Sequence, residues 1–394
     1  MNVKSTPVVD SEMVHTNIPA IPTAPPFGEI DPRQVISEFE KPSENLELLK
    51  RTDFSEELEV RDFRHDPVVV RMPRCTVCGF RFGKKTFFLP QLNYKVLTCQ
   101  KCGTGRLFPT PSYEEIPYFY PNDYYGEPGE KFEKRTESAT RLVGSIHIKR
   151  LLRDLPQGSR VLDVGCGRGV LLEALADKGY ETHGFEISKK AVQGVDPRTS
   201  VRIANDLKQA KYERHTFDAV ILWHVLEHLR DPKGTLEEVR EILKPGGKLI
   251  VAVPNFSSWQ SKFFGPAWFH LDLPRHLFHF SANGLQELVS RCLFDCEKMD
   301  HFSLRQNPFG WLQSFLNKNP GFSRNRLYRS LKKNVSENDE SYGDDGKWER
   351  FLERLSFYIG MIPALALSGI AAFMHRGGTI CLTASSRVNE PFTH

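Results

Sequence analysis

The chain has 394 residues, 40% of them hydrophobic, which is too long for one ordinary domain and enough for a large core. Its formal net charge is only +4, from 53 Lys and Arg against 49 Asp and Glu, so bulk charge does not argue for a nucleic-acid partner. The start shows no apolar run behind a basic opening, and four of the eight cysteines form two C-x-x-C pairs. That pattern suits metal binding in a reducing compartment rather than a secreted disulfide framework, so a cytoplasmic protein is expected.

Residues 1–66 are punctuated by Pro7, Pro19, Pro22, Pro25, Pro26, Pro32 and Pro42, with no sustained period. They read as a disordered tail with a short helix near Ser43–Arg51, or as a tail hiding a docking motif. Over 67–112, Cys75, Cys78, Cys99 and Cys102 stand as C-x2-C-x20-C-x2-C with a glycine after each pair. Four soft ligands on two knuckles suit a tetrahedral structural zinc, a closed site with no open position, and predict a zinc ribbon. A redox dithiol pair is the alternative. Between the pairs lie only Arg81, Lys84, Lys85 and Lys95 as positive charges, a thin footprint for nucleic acid. Residues 113–136 form a linker rich in tyrosine (Tyr118, Tyr120, Tyr124, Tyr125), placed either to pack the ribbon on the next unit or to line a cleft.

The next unit, 137–303, opens with a helix over Ser138–Leu155 and runs into Val161-Leu162-Asp163-Val164-Gly165-Cys166-Gly167-Arg168-Gly169. This is a short buried strand entering a glycine turn, followed by a helix from Val170. Alternate glycines permit a sharp turn and close ligand approach, and the helix start presents free N–H groups. The dinucleotide fingerprint needs G-x-G-x-x-G, but Val170 occupies its third glycine position. A second strand, Glu181–Glu186, ends in a carboxylate where a ribose diol would lie. A third strand is expected at Ser200–Ile203, with Asp206 and Leu207 after it near an adenine. A fourth, Ala219–Leu222, opens into Trp223-His224-Val225-Leu226-Glu227-His228. Asp231-Pro232 then starts a helix that Gly246-Gly247 is expected to end. A fifth strand, Lys248–Val253, stops at Asn255. In an open α/β sheet, ligands sit beyond the carboxyl ends of the strands, so Trp223 to His228 and Asn255 should face the cleft.

In order and spacing, Asp163 to Gly169, Glu186, Phe217–Leu222 and Leu243–Leu249 resemble the successive motifs of class I S-adenosylmethionine-dependent methyltransferases. The resemblance implies a doubly wound Rossmann-like sheet. It implies that Asp163, Gly165, Cys166, Gly167 and Gly169 hold the methionine part of the cofactor, Glu186 the ribose, and Asp206 and Leu207 the adenine, with Trp223 also on the cofactor cleft. Glu227-His228 resembles the pair found in ubiquinone-pathway O-methyltransferases and in an RNA 2′-O-methylating family that binds a divalent metal there. His224 stands where the RNA enzyme has glutamate. A ribbon followed by Pro109-Thr110-Pro111 and a tyrosine-rich run resembles the front end of bacterial methyltransferases that modify glycans and lipids.

A hydroxyl acceptor needs a base, and His224, His228, His276 and His279 are the candidates, the last two being placed to share one side of a turn. The alternative is that they cap loops. After a sixth strand, Phe294–Asp300, residues 304–376 form a helical insertion, and the seventh strand is delayed to Thr379–Ser385, within 377–394. The insertion holds a polar patch near Asn334–Lys347 and the uncharged run Leu355–Met374, interrupted by Pro363. A single crossing would put a bilayer between strand seven and its sheet, so a kinked pair of interfacial helices is expected, with a buried lid or dimer helix as the alternative. Arg324, Arg326, Arg329, Lys332, Lys333, Arg350 and Arg354 would meet anionic headgroups.

The expectation is thus an α/β methyltransferase sheet with an N-terminal zinc ribbon, working in the cytoplasm or on the inner face of the membrane. It would O-methylate a glycan or lipid-linked intermediate. Methylation of a quinone or other small phenol is the second reading, and a non-catalytic cofactor- or nucleic-acid-binding adaptor the third. The oligomeric state is not legible.

Overall fold

The computed structural model describes residues 35–37, 49–50, 58–66, 68–120, 152, 155–320, 322–331 and 346–387. Most of the tail, most of the expected helix over Ser138–Leu155, Tyr124 and Tyr125, and most of the patch at Asn334–Lys347 lie outside them.

The larger sheet begins with β7 (Arg160–Val164), whose last four residues, Asp163 included, are all buried, as expected for a strand covered on both faces. β8 (Glu181–Glu186) and β9 (Ser200–Ile203) follow on one side in parallel. On the other side come β10 (Phe217–Trp223) and β11 (Leu243–Pro254), also parallel. The antiparallel strands β13 (Phe294–Asp300) and β14 (Thr379–Ser386) complete the order β13-β14-β11-β10-β7-β8-β9. All seven expected strands are present. The strand order reverses at β7, so the loops after β7, β8 and β10 meet at one sheet edge, the usual place for a ligand.

The helix before β11, α2 (Pro232–Ile242, with α1 at Val170–Ala176), is capped as expected, Gly234 N–H donating to Asp231 Oδ1 at 3.0 Å. It does not end at the glycine pair. The chain leaves the helix at Leu243, pairs there with Phe217, turns at Gly246 (φ +74°) and rejoins the sheet at Lys248. Gly246-Gly247 therefore belongs to an irregularity inside β11, because Leu243 finds a strand partner before the glycines are reached.

The cysteine region forms a second sheet. β3 (Val69–Arg71), β4 (Phe82–Leu89), β5 (Tyr94–Cys99) and β6 (Gly105–Phe108) are its body, with β1 (Val35–Ser37) and the short β2 (Arg61–Asp62) added on β3 and β4. Its last strand, β12 (Phe278–His279), comes from the methyltransferase-like unit: Phe278 pairs with Arg106 and His279 with Gly105. Phe87, Leu89 and Val96 share one buried core with Phe278, Phe280 and Leu285. The ribbon and the larger unit are therefore welded together rather than strung on a linker.

Beyond β11 lie α3 (Trp259–Phe264) and α4 (Ala282–Arg291), then the insertion helices α5 (Asn307–Asn317), α6 (Arg326–Ser330) and α7 (Gly346–Phe373). The expected kinked pair is a single helix running through Pro363. Pro363 sits on the exposed side, so its ring and the carbonyl it leaves unpaired are not packed into the core. Among the described residues, no helix is long and apolar enough to cross a membrane.

Candidate active site

Gly165, Gly167 and Gly169 all take left-handed backbone (φ +72°, +51° and +69°), which only glycine adopts without strain. A Cβ on Gly165 would meet Val225 at 2.6 Å and one on Gly169 would meet Val195 at 2.9 Å, whereas one on Gly167 would enter open space. Gly167 is thus the point where backbone is bare toward the cleft. The loop is tied to β8: Gly165 and Cys166 N–H donate to Phe185 O, and Gly167 N–H donates to Glu186 Oε2 at 2.9 Å. Glu186 Oε1 accepts from Ile187 and Ser188 N–H, so this buried carboxylate is rigidly aimed. Beside it, burial and then the Glu186 charge push the Asp163 carboxyl up to about 8.

The loop after β10 carries a second constellation. His224 has left-handed backbone (φ +56°), uncommon for a residue with a side chain and often found at functional positions. Its Nδ1 lies 3.1 Å from Glu227 Oε1 and, facing a carboxylate, bears the proton. Glu227 is 1% exposed. Burial alone would raise its pKa, but the His224 hydrogen bond and the surrounding imidazoles outweigh that and hold it down at about 2. Its Oε2 has no protein partner. An ionised, buried and half-unsatisfied carboxylate is costly unless a ligand completes it.

Two histidines stand beside Glu227. His228 Nδ1 lies 3.1 Å from Arg275 O, and His276 Nδ1 lies 3.0 Å from His270 O. A carbonyl can only accept, so both Nδ1 atoms carry hydrogen, and His276 Nε2 lies 3.8 Å from Asp272 Oδ2. Glu227, His228 and His276 each offer a ligand atom within 4.8 Å of the others. Burial lowers His276 to about 4 and His270 to about 3, so these rings are neutral near pH 7.

The structure separates the other sequence candidates. His279 lies on β12, its Nε2 unpartnered, and burial lowers it to about 3; it stands behind His276, their ring centres 6.1 Å apart, rather than beside it at Glu227. Trp223 ends β10 at the same sheet edge, half-buried. Leu207 is buried, but Asp206 is exposed and both its oxygens accept hydrogen bonds from Gln209. Asn255 does not face the cleft. It is fully buried, donating to Gly377 O and accepting from Ser257, so it fastens the chain before β14. Tyr120, one of the two readings of the aromatic linker, reaches the site with its hydroxyl 3.2 Å from His228 Nδ1. Glu227 was legible only as half of a motif pair, and His270 only as the first histidine of the run His270–Phe280.

The four ribbon cysteines converge separately. Cys75 and Cys102 sulfurs are 3.8 Å apart, Cys78 and Cys99 sulfurs 3.5 Å, and all four lie within 4.8 Å. Zinc–sulfur bonds of about 2.3 Å at tetrahedral angles require sulfur separations near 3.8 Å, so the donor set fits zinc.

Comparison with known proteins bears on the larger sheet. Residues 139–297 match the methyltransferase domain family. A ubiquinone biosynthesis O-methyltransferase of Xanthomonas axonopodis pv. citri (strain 306) is 36% identical over 109 residues, 25% of this chain and 45% of that relative. One from Cereibacter sphaeroides (strain ATCC 17025 / ATH 2.4.3) is 29% identical over 195 residues, 45% of this chain and 76% of the relative. The chain spans less than half the length of the first of these relatives. Among solved structures, phosphoethanolamine N-methyltransferase 2 of Haemonchus contortus with S-adenosyl-L-methionine aligns over 72% of this chain and 62% of its own, at 14% identity and a TM-score of 0.43. The matched span and the motifs within it identify residues 139–297 as a class I S-adenosylmethionine-dependent methyltransferase domain related to the ubiquinone O-methyltransferases.

Proposed function

We propose that this chain moves the methyl group of S-adenosylmethionine onto a hydroxyl oxygen of a glycan or lipid-linked intermediate. The observation that carries the reading is the buried Glu227 carboxylate with an unpartnered oxygen, joined to His224 in the loop whose Val225 packs against Gly165. In this reading Gly165–Gly169 receive the methionine part of the donor and Glu186 accepts hydrogen bonds from its ribose. Its cationic charge would draw the proton off Asp163. The acceptor oxygen attacks the sulfonium carbon in line; the C–O bond forms as the C–S bond breaks, and the hydroxyl proton needs a base. His224 fills that role, its Nδ1–H held by Glu227 and its unpartnered Nε2 free to take the proton, the base-and-orienter arrangement of activated nucleophiles. His276 and His279, held neutral to about 4 and about 3, are too weakly basic for it and serve to shape the pocket.

Glu227, His228 and His276 fit a divalent cation, a two-histidine, one-carboxylate set. Such an ion would supply a Lewis acid beside the acceptor hydroxyl. Arg275 O and His270 O orient the two imidazoles toward it.

A quinone-type phenol is the second reading of the acceptor, favoured by the ubiquinone-pathway relatives. Methyl-labelled S-adenosylmethionine offered with a polyprenyl catechol and, separately, with lipid-linked sugars decides between them. Label in an ether on either acceptor supports oxygen transfer and names the carrier. Label on carbon or nitrogen, or none while the cofactor binds, would overturn it.

For the donor site, Glu186→Ala should weaken S-adenosylmethionine binding by about 1–3 kcal/mol, the loss expected for hydrogen bonds to a charged group. Gly167→Val should weaken it as well, by placing a side chain in the open space at the cleft. Calorimetry showing wild-type affinity in both variants would remove the assignment.

A further inference from the structure

The helix α7 is amphipathic in the wrong sense for water. The side it turns to the protein carries small residues: Ala364, Ser368 and Ala371 are buried, and a Cβ on Gly360 would meet Leu312 of α5 at 2.6 Å. The side it turns outward carries the large ones. Tyr358, Ile359, Ile362 and Phe373 are 70%, 62%, 76% and 83% exposed, and Leu355 and Ile370 join them at three- and four-residue spacing. No charged residue interrupts Leu355–Met374. A free surface helix places its apolar stripe inward, so a stripe of this size facing out is a contact surface.

The charge around it says what covers it. From His301 to Ser336 the sequence has seven Lys or Arg and no Asp or Glu; without these seven, a chain of net +4 would be net acidic. Part of this stretch is α6, which packs on α7. Exposed Phe315 and Phe322, with exposed Lys318, extend the same mixture of apolar and basic groups. A second copy of the chain seated on this face through a two-fold contact would bring the two basic stretches together, which is unfavourable. An anionic lipid surface satisfies both features, apolar side chains among the acyl chains and Lys and Arg among the headgroups.

We infer that α7 lies flat on an anionic lipid surface through its Tyr358–Phe373 face, with Lys318 at the end of α5 and Arg326 and Arg329 of α6 beside it. The placement has a consequence for the site. α7 packs on α5, and a Cβ on Gly310 of α5 would lie 2.9 Å from His270 Nε2, so one helix separates the lipid-facing side from the histidine cluster. That consequence rests on the proposed function; the docking does not.

The test is co-sedimentation of the full chain with phosphatidylcholine vesicles, with and without phosphatidylglycerol. Wild-type protein should sediment with the anionic vesicles and be released by salt. Ile362→Asp with Phe373→Asp should lower partitioning roughly tenfold or more, given the apolar area withdrawn from lipid. Both residues are mostly exposed, so melting temperature and S-adenosylmethionine affinity should stay at wild-type values, which separates failure of docking from failure of the donor site. Wild-type protein that ignores anionic vesicles, or a double variant that sediments like wild type, would overturn the inference. A concentration-dependent dimer abolished by the same substitutions would also overturn it, in favour of a second copy.

Discussion

Replacing Glu227 with glutamine should lower methyl transfer by about a hundredfold or more while S-adenosylmethionine affinity stays near wild type. The substitution keeps the shape of a side chain that is 1% exposed, so packing around it persists. What disappears is the charge that orients His224 at 3.1 Å and stands beside His228 and His276. Loss of a positioned base alone is worth about 10²–10⁴ in rate. The same variant should no longer bind Mn²⁺ at this cluster, read by paramagnetic resonance, while the ribbon metal is retained. His228→Ala should share the loss of Mn²⁺, whereas His279→Ala, outside the ligand group, should keep it. A Glu227→Gln enzyme with wild-type turnover would remove both His224 and the cation site from the chemistry.

Stripping the ribbon metal should have the other large effect. Purified protein is expected to hold one zinc through Cys75, Cys78, Cys99 and Cys102, and structural zinc sites carry apparent binding free energies on the order of 10 kcal/mol at neutral pH. The consequences should reach the active site. β6 follows the second cysteine pair directly and pairs with β12, Leu107 N–H donates to Leu277 O, and Ser281 Oγ donates to Cys102 O at 2.5 Å. The segment so held carries Arg275 and His276, whose backbone and ring order the Glu227 cluster. A strong chelator should therefore abolish turnover and unfold the ribbon first, with the glycine loop and Glu186 still able to bind cofactor, because β7 and β8 belong to the other sheet. Amide exchange read by segment follows the order of loss. A metal-free, fully folded and active protein with a Cys75–Cys78 disulfide would refute the zinc assignment in favour of redox chemistry.

Much of this molecule is determined by sequence patterns that act over a few residues. Val161–Val164 is a strand because its β-forming apolar residues are stable only with both faces covered, even around the buried Asp163, and Gly165, Gly167 and Gly169 turn because only they tolerate φ of +51° to +72°. Asp231-Pro232 caps its helix by the same local chemistry, and the cysteine spacing alone brings four sulfurs within reach of one ion. Other features depend on which distant segments the two sheets bring together. Tyr120 meets His228 across 108 residues, and Arg275 O meets it across 47. Nothing in a sequence window distinguishes His276, which joins Glu227, from His279 three residues later, which β12 carries into the ribbon sheet. The pairing of β6 with β12 decides that, and it depends on how the two sheets share their core. The outward face of α7 was hidden for the same reason. Leu355–Met374 is apolar on nearly every side, so its periodicity could not say which face is buried; Leu312 does, by accepting Gly360 and leaving no room for the larger side chains.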